Sequence, residues 1–591
     1  MSARRVTVTR TTRARLVSLA LFVLVLSGCS TLPVSGDVHS EPARAGEATN
    51  QAPYFAPPGP TKGDSQEQIV RGFLLAMQAN PPSTAVARSF LSSRAKATWR
   101  PGQGTIVYDA ATVETESGQV VARLRGAHQL SPHGVWLDGT DSTTTTFPMS
   151  LVDEDGQWRI ANPPNVLAVP ASYFSSLFVP FNLYWFDRTG TVLVPTTVYV
   201  PRGEETATNL VRGLLAGPPP VQQPVVVSAF PGHALLDFAV VVNDAGIAEV
   251  PLGPEVLRLA PADLNRLVVQ LAWTLRQVPG IDRLRITVDG APVALPNGSS
   301  DVSVEDGAGF GSLVNQQRDL LVISGGRIVR DDGDHGVPIS GPFGQPGYAL
   351  RSLAWDAREH VVAAVAGSGR RAYVAPERGG SSRVQTVLDG ATDLLRPAYD
   401  RFGGLWLVDR ARGGAVVHVV RNGRDRVIQV PGVSGRRISA FTVTGDGTSL
   451  VAVLSTGTNP TVEVSGLVRK PNGRVESATP ARALQLTGAD LGPARDVSQN
   501  GATSVAVLSR PPSGPDQITY VQLDGSPGPQ LPEGAGAPDT VPGSLSGVIT
   551  SPDPALPLRV VSSDGRLFTY SDTGSWTRAS LAGVLAAAYA E

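Results

Sequence analysis

The spacing of hydrophobic residues differs between regions of the chain. Near the N-terminus these residues form one apolar run. Five arginines between Arg4 and Arg15 precede this run, which extends from Leu16 to Leu26 and is interrupted only by Ser18. An apolar run of this length forms the core of an export signal and is too short to cross a bilayer as a helix of the mature protein. We therefore predict a signal peptide at residues 1–28.

The only cysteine of the 591 residues, Cys29, follows this run closely. Leu26, Ser27, Gly28 and Cys29 resemble the lipobox of bacterial lipoproteins. In a lipobox the thiol accepts a diacylglycerol group, and the small residues give a peptidase access to the bond between Gly28 and Cys29. We expect Cys29 to carry S-diacylglycerol and N-acyl groups such as palmitate. The protein would then be lipid-anchored at the extracytoplasmic face of the cell membrane.

No apolar period follows the cysteine directly. Residues 29–64 are rich in proline, glycine, alanine and serine, a composition typical of linkers without a packed core. We interpret this stretch as a flexible tether.

A helical period begins at Ser65 and opens the first predicted domain, residues 65–175. Ser65 and Gln68 have the spacing of a capping box, and the apolar positions after them share one helical face. A second short helix and several strands follow, and a tight turn at Asp155-Gly156 joins the last two strands. This order resembles the NTF2-like α+β fold, a cone whose open end can hold a ligand.

The second predicted domain, residues 180–300, contains the strongest helical pattern of the chain. Pro261 opens this helix, and its apolar face is formed by Leu264, Leu267, Val268, Leu271, Leu275 and Val278. The predicted order of elements is ββαββαβ, which gives an α+β layer. Residues 193–218, 264–281 and 284–290 resemble the GerMN domain of spore-germination and sporulation-related envelope proteins.

Residues 310–591 are rich in predicted strands and contain no long amphipathic helix. Four segments centred on polar turns recur after Trp355, Tyr399, Val443 and Val497, each leading into an apolar strand. A repeat of about 40–50 residues is typical of β-propeller blades. We predict an all-β propeller of five to seven blades, most consistent with six, and assign VVSSDGRLFTYS as a further copy of the repeat. A pair of unrelated β-sandwiches is the alternative.

These features in this order resemble the actinobacterial lipoprotein LpqB family over essentially the whole mature chain. The resemblance implies a multidomain, non-enzymatic lipoprotein that assists the MtrA–MtrB two-component system. Its implied partner is the extracytoplasmic domain of an MtrB-type sensor histidine kinase, and its implied role lies in cell-envelope homeostasis and division. Contacts with cell-wall components are a further expectation.

Composition and motifs argue against several classes of function. The formal net charge of −1 provides no basic field for nucleic acid. The seven histidines are scattered, so we predict no metal site and no cofactor. Recognised nucleophile and phosphate-loop motifs are also missing from the sequence, which predicts that the protein is not an enzyme.

Four short segments allow two interpretations. Gly63–Ser65 could belong to a hydrolase but suits a helix cap better. Asp331–His335 could bind Ca²⁺, yet its spacing favours a solvated turn. Gly307–Ser312 imitates a phosphate loop, and we interpret it as the hinge into the propeller. The successive aromatics Tyr184, Trp185 and Phe186 cannot all face one core, so they form an interdomain contact or a partner-binding patch.

Two other functions remain open at this stage. A cell-wall-directed hydrolase or glycan-binding envelope protein would use the propeller as a scaffold, and a hydrolase would need two carboxylates about 5–10 Å apart in a deep pocket. A solute-binding lipoprotein would need two similar α/β lobes, which the pattern does not contain.

Substituting Cys29→Ala tests the predicted anchor. Removing the thiol removes the acceptor of the diacylglycerol group, so the precursor should stay unlipidated and uncleaved by the lipoprotein peptidase. Metabolic labelling with a fatty acid and the electrophoretic size of the product measure both effects. Normal labelling of the variant would contradict the assignment.

Overall fold

The computed structural model describes residues 54–137, 143–296, 298–311, 319–333, 335–380, 383–456, 459–484, 493–511, 514–526, 543–571 and 574–590. The predicted signal peptide, the lipobox residues Leu26, Ser27, Gly28 and Cys29, and most of the predicted tether lie outside these ranges. Within them, no helix combines the length and apolar character needed to span a membrane.

The part of the predicted tether that is described makes defined contacts. The backbone N–H of Phe55 donates to the carbonyl oxygen of Asn80 over 3.0 Å, and the N–H of Asn80 donates back to Phe55 over 2.9 Å. Ala56 is buried, and the N–H of Thr61 donates to the carboxylate of Asp64 over 2.7 Å. The chain is therefore held against the first domain from Phe55 onward, nine residues before the predicted end of the tether.

The first domain places three short helices against a strongly curved sheet. Its elements are α1 (Gln66–Ala76), α2 (Ala85–Ser89), α3 (Ser93–Thr98), β1 (Thr105–Tyr108), β2 (Ala110–Glu116), β3 (Gln119–Leu130), β4 (Trp136–Leu137), β5 (Thr143–Met149), β6 (Leu151–Glu154), β7 (Gln157–Ile160) and β8 (Leu167–Pro170). The long strand β3 pairs with β1, β2, β4 and β5, while β8 runs parallel to β1. Strands β6 and β7 form a separate hairpin.

Local signals in this domain act as their chemistry predicts. The Ser65 hydroxyl accepts from the N–H of Gln68, and the Gln68 side chain accepts from the N–H of Ser65, so both halves of the capping box are present. Gly63–Ser65 is thus the start of a helix, as the favoured interpretation predicted. Asp155 and Gly156 both have positive φ, the conformation that a tight hairpin turn requires.

The second domain consists of two β-layers with two main helices. Its elements are α4 (Ala171–Leu177), β9 (Phe178–Asp187), β10 (Leu193–Pro201), α5 (Thr206–Ala216), β11 (Val226–Val227), β12 (Val241–Val242), β13 (Ile247–Pro251), α6 (Pro261–Leu275), β14 (Arg283–Val288), β15 (Ala291–Pro292) and β16 (Asp301–Ser303). The sheets have the orders β10-β9-β11 and β12-β13-β14-β15, with β16 also on β14. The predicted ββαββαβ order is present, and β11, β15 and β16 are additional.

The apolar face of α6 explains why this domain packs as it does. Leu264, Leu267, Val268, Leu271 and Leu275 are all buried in one core with residues of β13, β14 and α5. The helix begins at Pro261, whose missing N–H is harmless in the first turn. It ends at Leu275, one turn before the predicted end at Val278.

The C-terminal region consists of six successive sheets in the described part of the chain. They are β17 (Leu320–Ser324), β18 (Arg327–Asp331) and β19 (Gly336–Pro338); β20 (Leu350–Asp356), β21 (Val361–Ala366), β22 (Arg371–Pro376) and β23 (Gln385–Asp389); β24 (Ala398–Tyr399), β25 (Leu405–Ala411), β26 (Gly414–Arg421) and β27 (Arg424–Ile428); β28 (Ile438–Val443), β29 (Ser449–Thr456), β30 (Asn459–Arg469), β31 (Val475–Ala478) and β32 (Arg482–Leu484); β33 (Ala494–Asn500), β34 (Ser504–Ser509) and β35 (Gln517–Gln522); and β36 (Leu545–Ile549), β37 (Arg559–Ser562), β38 (Arg566–Tyr570) and β39 (Trp576–Ala582).

The strand that comes last closes this arrangement. Strand β40 (Val584–Tyr589) pairs antiparallel with β17, so the first sheet takes its innermost strand from the far end of the sequence. The innermost strands β20, β24, β28, β33, β36 and β40 each contact the next one around a common axis. Closure of this kind removes the free inner edge that an open array of sheets would leave.

The four recurrent segments of the sequence lie at equivalent places in four of the sheets. Each contains an innermost strand, its polar turn and the second strand: β20–β21, β24–β25, β28–β29 and β33–β34. Asp400 shows what the polar turn does, because its buried carboxylate accepts from the N–H groups of Phe402 and Gly404 and from Nε1 of Trp406. VVSSDGRLFTYS differs, since it forms β37 and β38, the second and third strands of the last sheet.

Tyr199 joins all three folded regions. It belongs to β10 of the second domain, and its N–H donates to the carbonyl of Gly134 in the first domain over 2.8 Å. Its ring lies 6.0 Å from Trp136 and 5.2 Å from Phe174 between centroids. The hydroxyl donates to Oγ of Ser526 in the C-terminal region over 2.7 Å. Only 5% of Tyr199 is exposed, and this burial raises the pKa of the phenol, so it stays a neutral donor.

Gly134 has no room for a side chain at this junction. Its φ is +78°, and a Cβ atom would lie 2.3 Å from the carbonyl oxygen of Tyr199. We expect Gly134→Ala to lower the free energy of unfolding by more than about 2 kcal/mol and to expose the junction to limited proteolysis. Both can be measured on the purified protein.

Gly118→Ala is the matched control. Gly118 has a nearly identical φ of +79° in the same domain but nothing within 4 Å of its Cβ position. Its substitution should cost only the left-handed backbone strain, about 1 kcal/mol. Equal losses in the two variants would show that the close approach to Tyr199 carries no extra energy.

Candidate binding site

The three successive aromatics of β9 are buried between two cores. Trp185 is fully buried in the main core of the second domain and donates from Nε1 to Oγ1 of Thr196 over 2.8 Å. Tyr184 and Phe186 point to the opposite side and pack with Trp273, at ring distances that include 5.2 Å for Tyr184–Trp273. Of the two interpretations, the structure therefore favours an internal contact over an exposed partner-binding patch.

The connection into the C-terminal region packs on the same aromatic cluster. Phe310 contacts Phe186 edge-on with ring centroids 5.4 Å apart, and the carbonyl of Gly307 accepts from Nε1 of Trp273 over 3.0 Å. The carbonyl of Gly311 accepts from Arg401 of the third sheet over 2.9 Å. Residues 307–311 therefore lead into the C-terminal region as predicted, but they form a packed connection, while Ser312 lies outside the described residues.

The acidic segment Asp331–His335 is used for internal contacts. Asp331 is almost fully buried and pairs with Arg559 of the last sheet. The carboxylate of Asp332 accepts from the N–H of His335 over 2.6 Å, which closes the turn. Residue 334 lies outside the described ranges. The described residues contain no group of three side chains that could together hold a metal ion.

Two cavities follow the axis around which the six sheets are arranged. One, of about 180 Å³, lies at the N-terminal ends of the innermost strands and is lined by Arg351, Arg396 and Arg495, among others. The other, of about 120 Å³, lies at their C-terminal ends and is lined by Arg358 and Arg401 as well as Arg396. Because Arg396 lines both, it stands between the two cavities.

Arg396 is held in this position by two other sheets. Its Nη1 donates to the carboxylate of Asp496 and to the carbonyl of Val548, each over 3.1 Å, and Nη2 donates to the carbonyl of Val497. The carboxylate of Asp496 also accepts from the N–H of Val548 over 3.0 Å. Burial raises the pKa of Asp496, and the positive charge of Arg396 opposes that rise.

Two further aspartates hold the arginines at the entrance of the larger cavity. Asp393 pairs with Arg351 and with Arg410. Burial alone would raise the pKa of Asp393, but the hydrogen bond from Arg351 and the two positive charges hold it below its usual value. Asp516 has the same arrangement and the same direction of shift, with Arg510 and Arg495 as its partners.

The smaller cavity has a similar basic character. Burial lowers the pKa of Arg401, and the nearby charge of Arg358 lowers it further. Asp553 is the acidic residue in the described lining of this cavity, and Asp496 is the one in the larger cavity. Each described lining thus contains a single carboxylate, whereas glycoside hydrolysis typically uses a pair.

The axial arginines were not identified from the sequence, although a signal was present. Arg351, Arg396 and Arg495 each occur at the start of an innermost strand or just before it, a few residues ahead of the recurrent turn. They lie four, three and two residues before the recurrent positions Trp355, Tyr399 and Val497, so an alignment on those positions does not superpose them. Their convergence on one axis follows only once the sheets are closed into a ring.

The second domain exposes an unusual number of apolar side chains along one edge. Leu235, Phe238, Val241 and Val242 are exposed to 67, 77, 60 and 41%, respectively. They lie on segment 235–242, which runs beside β13 and ends in β12, the edge strand of its sheet. We call residues 235–242 the apolar edge. Clustered exposed apolar side chains beside an unpaired strand edge are typical of a surface that binds another protein.

Comparisons with known families divide the chain in the same way. A family model described as the N-terminal domain of lipoprotein LpqB matches residues 59–175. One described as "Sporulation and spore germination" matches residues 182–294, and the lipoprotein LpqB beta-propeller domain matches residues 326–580.

Similar full-length proteins come from several actinobacteria. The chain is 29% identical to lipoprotein LpqB of Streptomyces coelicolor, over 93% of this chain and 94% of the relative. It is 27% identical to lipoprotein LpqB of Thermobifida fusca, over 96% and 97%. For Mycolicibacterium smegmatis the identity is 28%, over 85% and 87%.

Solved structures match individual regions. The first GerMN domain of the sporulation protein GerM from Bacillus subtilis is 25% identical and covers 22% of this chain and 99% of that one, with a TM-score of 0.19. TolB from Acinetobacter baumannii is 12% identical over 57% of this chain and 86% of that one, with a TM-score of 0.33.

Arg396→Met tests how far the axis depends on its ion pair. Both side chains are mostly buried, at 22 and 14% exposure, so the substitution leaves a carboxylate without its counter-ion in a desolvated site. We expect the free energy of unfolding to fall by about 3 kcal/mol. Chemical denaturation of the purified protein measures the loss.

Adding Asp496→Asn to the same chain provides the control. A neutral amide no longer needs a counter-ion, yet its oxygen can still accept from Val548. The double variant should therefore recover part of the lost stability. A double variant less stable than Arg396→Met alone would show that the charge of Asp496 is not what the arginine compensates.

Proposed function

The chain belongs to the lipoprotein LpqB family, and we propose on this basis that it is a non-enzymatic accessory protein of the cell envelope. It is anchored through Cys29 at the extracytoplasmic face of the cell membrane. There it binds the extracytoplasmic domain of an MtrB-type sensor histidine kinase and regulates the MtrA–MtrB system. The proposed arrangement is a signal peptide (1–28), a tether (29–64), an NTF2-like domain (65–175), a GerMN domain (180–300) and a six-bladed propeller (310–591).

The apolar edge is the observation that carries a protein-binding role. Water gains no favourable contacts with Leu235 or Phe238, so their exposure costs free energy that burial against a partner would recover. The backbone of β12 has an unpaired side and can add a strand from a partner. An enzymatic role has less support, because each described axial lining contains only one carboxylate.

Regulation then follows from selective binding. A sensor kinase exchanges between signalling conformations, and a protein that binds one of them more tightly shifts the equilibrium by the difference in affinity. The contacts of Tyr199 with the first domain and with Ser526 support one rigid body, so that binding at the apolar edge would also fix the position of the other domains.

Crosslinking in native membranes tests the partner directly. We expect the lipidated protein, purified after crosslinking, to recover a sensor histidine kinase, and Phe238→Ser to recover much less of it. The polar replacement removes an exposed apolar contact and leaves the core intact, because Phe238 is 77% exposed.

Val427→Ser is the matched control for this experiment. Val427 is a 47% exposed apolar residue on β27, an outer strand of the C-terminal region. Its variant should recover the kinase as well as the unsubstituted protein does. Recovery of other specific partners without any sensor kinase would refute the regulatory role, whereas equal recovery by Phe238→Ser would refute only the apolar edge as the contact.

A further inference from the structure

The larger axial cavity has more positive charge around it than its own aspartates neutralise. Three arginines line it, Arg351, Arg396 and Arg495, and each comes from a different sheet. Two more arginines, Arg410 and Arg510, share the same aspartates from outside. Among the described residues, five guanidinium groups are thus paired with three carboxylates, those of Asp393, Asp496 and Asp516, in a chain whose overall charge is −1.

The arginines also keep unused donors. In contacts among the described residues, Arg351 donates only from Nη2, to Asp393 and to the carbonyl of Leu394. Arg495 donates only from Nη1, to Ser544 and to the carbonyl of Leu545. Their other guanidinium nitrogens have no acceptor within the described ranges. Both side chains are about one-third exposed, which makes them accessible from outside.

Ser352, the residue after Arg351 in β20, has a buried hydroxyl group. It lines the cavity next to Arg351, is 9% exposed, and its hydroxyl has no hydrogen-bond partner in the described part of the chain. Buried hydroxyl groups without a partner are rare in folded proteins. Leu585, which is 58% exposed, lies at the rim, so the cavity opens to solvent.

We propose that this cavity binds the phosphate group of a small phosphorylated ligand. Its unused groups are donors, and an oxyanion offers only acceptors and the missing negative charge. A carboxylate presents its two oxygens in one plane, and Asp393 and Asp516 each bridge two guanidinium groups in this way. A tetrahedral phosphate instead presents oxygens in several directions, which matches donors that converge from different sheets. The site does not depend on the kinase partner proposed above.

Phosphate binding can be measured on the full mature chain. Isothermal titration with inorganic phosphate and with glycerol 3-phosphate should give saturable binding that weakens as salt concentration rises. Tighter binding of the ester would identify a phosphate monoester as the source of the group, and equal affinity would identify the free ion. Failure of both probes to bind at millimolar concentrations would overturn the proposal.

Arg351→Gln and Arg495→Gln locate the site without removing the only partner of an aspartate. Asp393 keeps Arg410 and Asp516 keeps Arg510, so both variants should fold with nearly unchanged melting temperatures. Each should bind phosphate about tenfold more weakly, the effect of one lost charge-assisted hydrogen bond.

Arg371→Gln removes the same charge from the exterior of the second sheet. Arg371 pairs with Asp389, and both side chains are more than half exposed, so its variant should retain the affinity of the unsubstituted protein. Equal affinity in Arg351→Gln, Arg495→Gln and the unsubstituted protein would place bound phosphate elsewhere and overturn the assignment. A tenfold loss in all three variants would show a dependence on net charge alone and overturn it as well.

Discussion

The arrangement of the three folded regions depends on Tyr199. Its buried hydroxyl and its backbone N–H each make a contact with a different region. One side chain and its own N–H meet Gly134 and Trp136 of the first domain and Ser526 of the C-terminal region. Buried polar contacts of this kind are directional, so they fix orientation as well as distance. The packed connection at residues 307–311 acts in the same sense, because it joins α6 to the third sheet through backbone carbonyls.

The ring of sheets creates chemistry that none of its members has alone. The innermost strands other than β40 contribute only one or two polar side chains at or just before their beginning, and these would be ordinary surface groups on an isolated sheet. Closure brings Arg351, Arg396 and Arg495 to one axis, where desolvation makes every charge depend on its neighbours. Asp496 is the clearest case, since its burial and its arginine act on its pKa in opposite directions.

Elements with a strong apolar period could be predicted from the sequence, and elements without one could not. Helix α6, the capping box at Ser65 and the four turn-centred segments all have local signals that tertiary packing reinforces. Strand β2 has no such pattern, because only Val113 of its seven residues is buried and no alternation is visible. The sequence shows that the aromatic residues of β9 point to both faces of the strand, but it does not show what they contact. The second core forms only where Phe310 and Trp273 come together. The convergence of Arg351, Arg396 and Arg495 could not be predicted, because it arises only when the six sheets close into a ring.

Closure of the ring by β40 also determines the order of events during biosynthesis. Because the chain is synthesised from its N-terminus, its first and second domains are complete before the sheets begin, and they can fold while synthesis continues. The first sheet cannot be completed at that stage, because β17 pairs with β40, which lies more than two hundred residues further along the chain. Its inner edge stays unpaired throughout that interval, so a chain that lacks the final residues keeps an exposed strand edge that can pair with another chain.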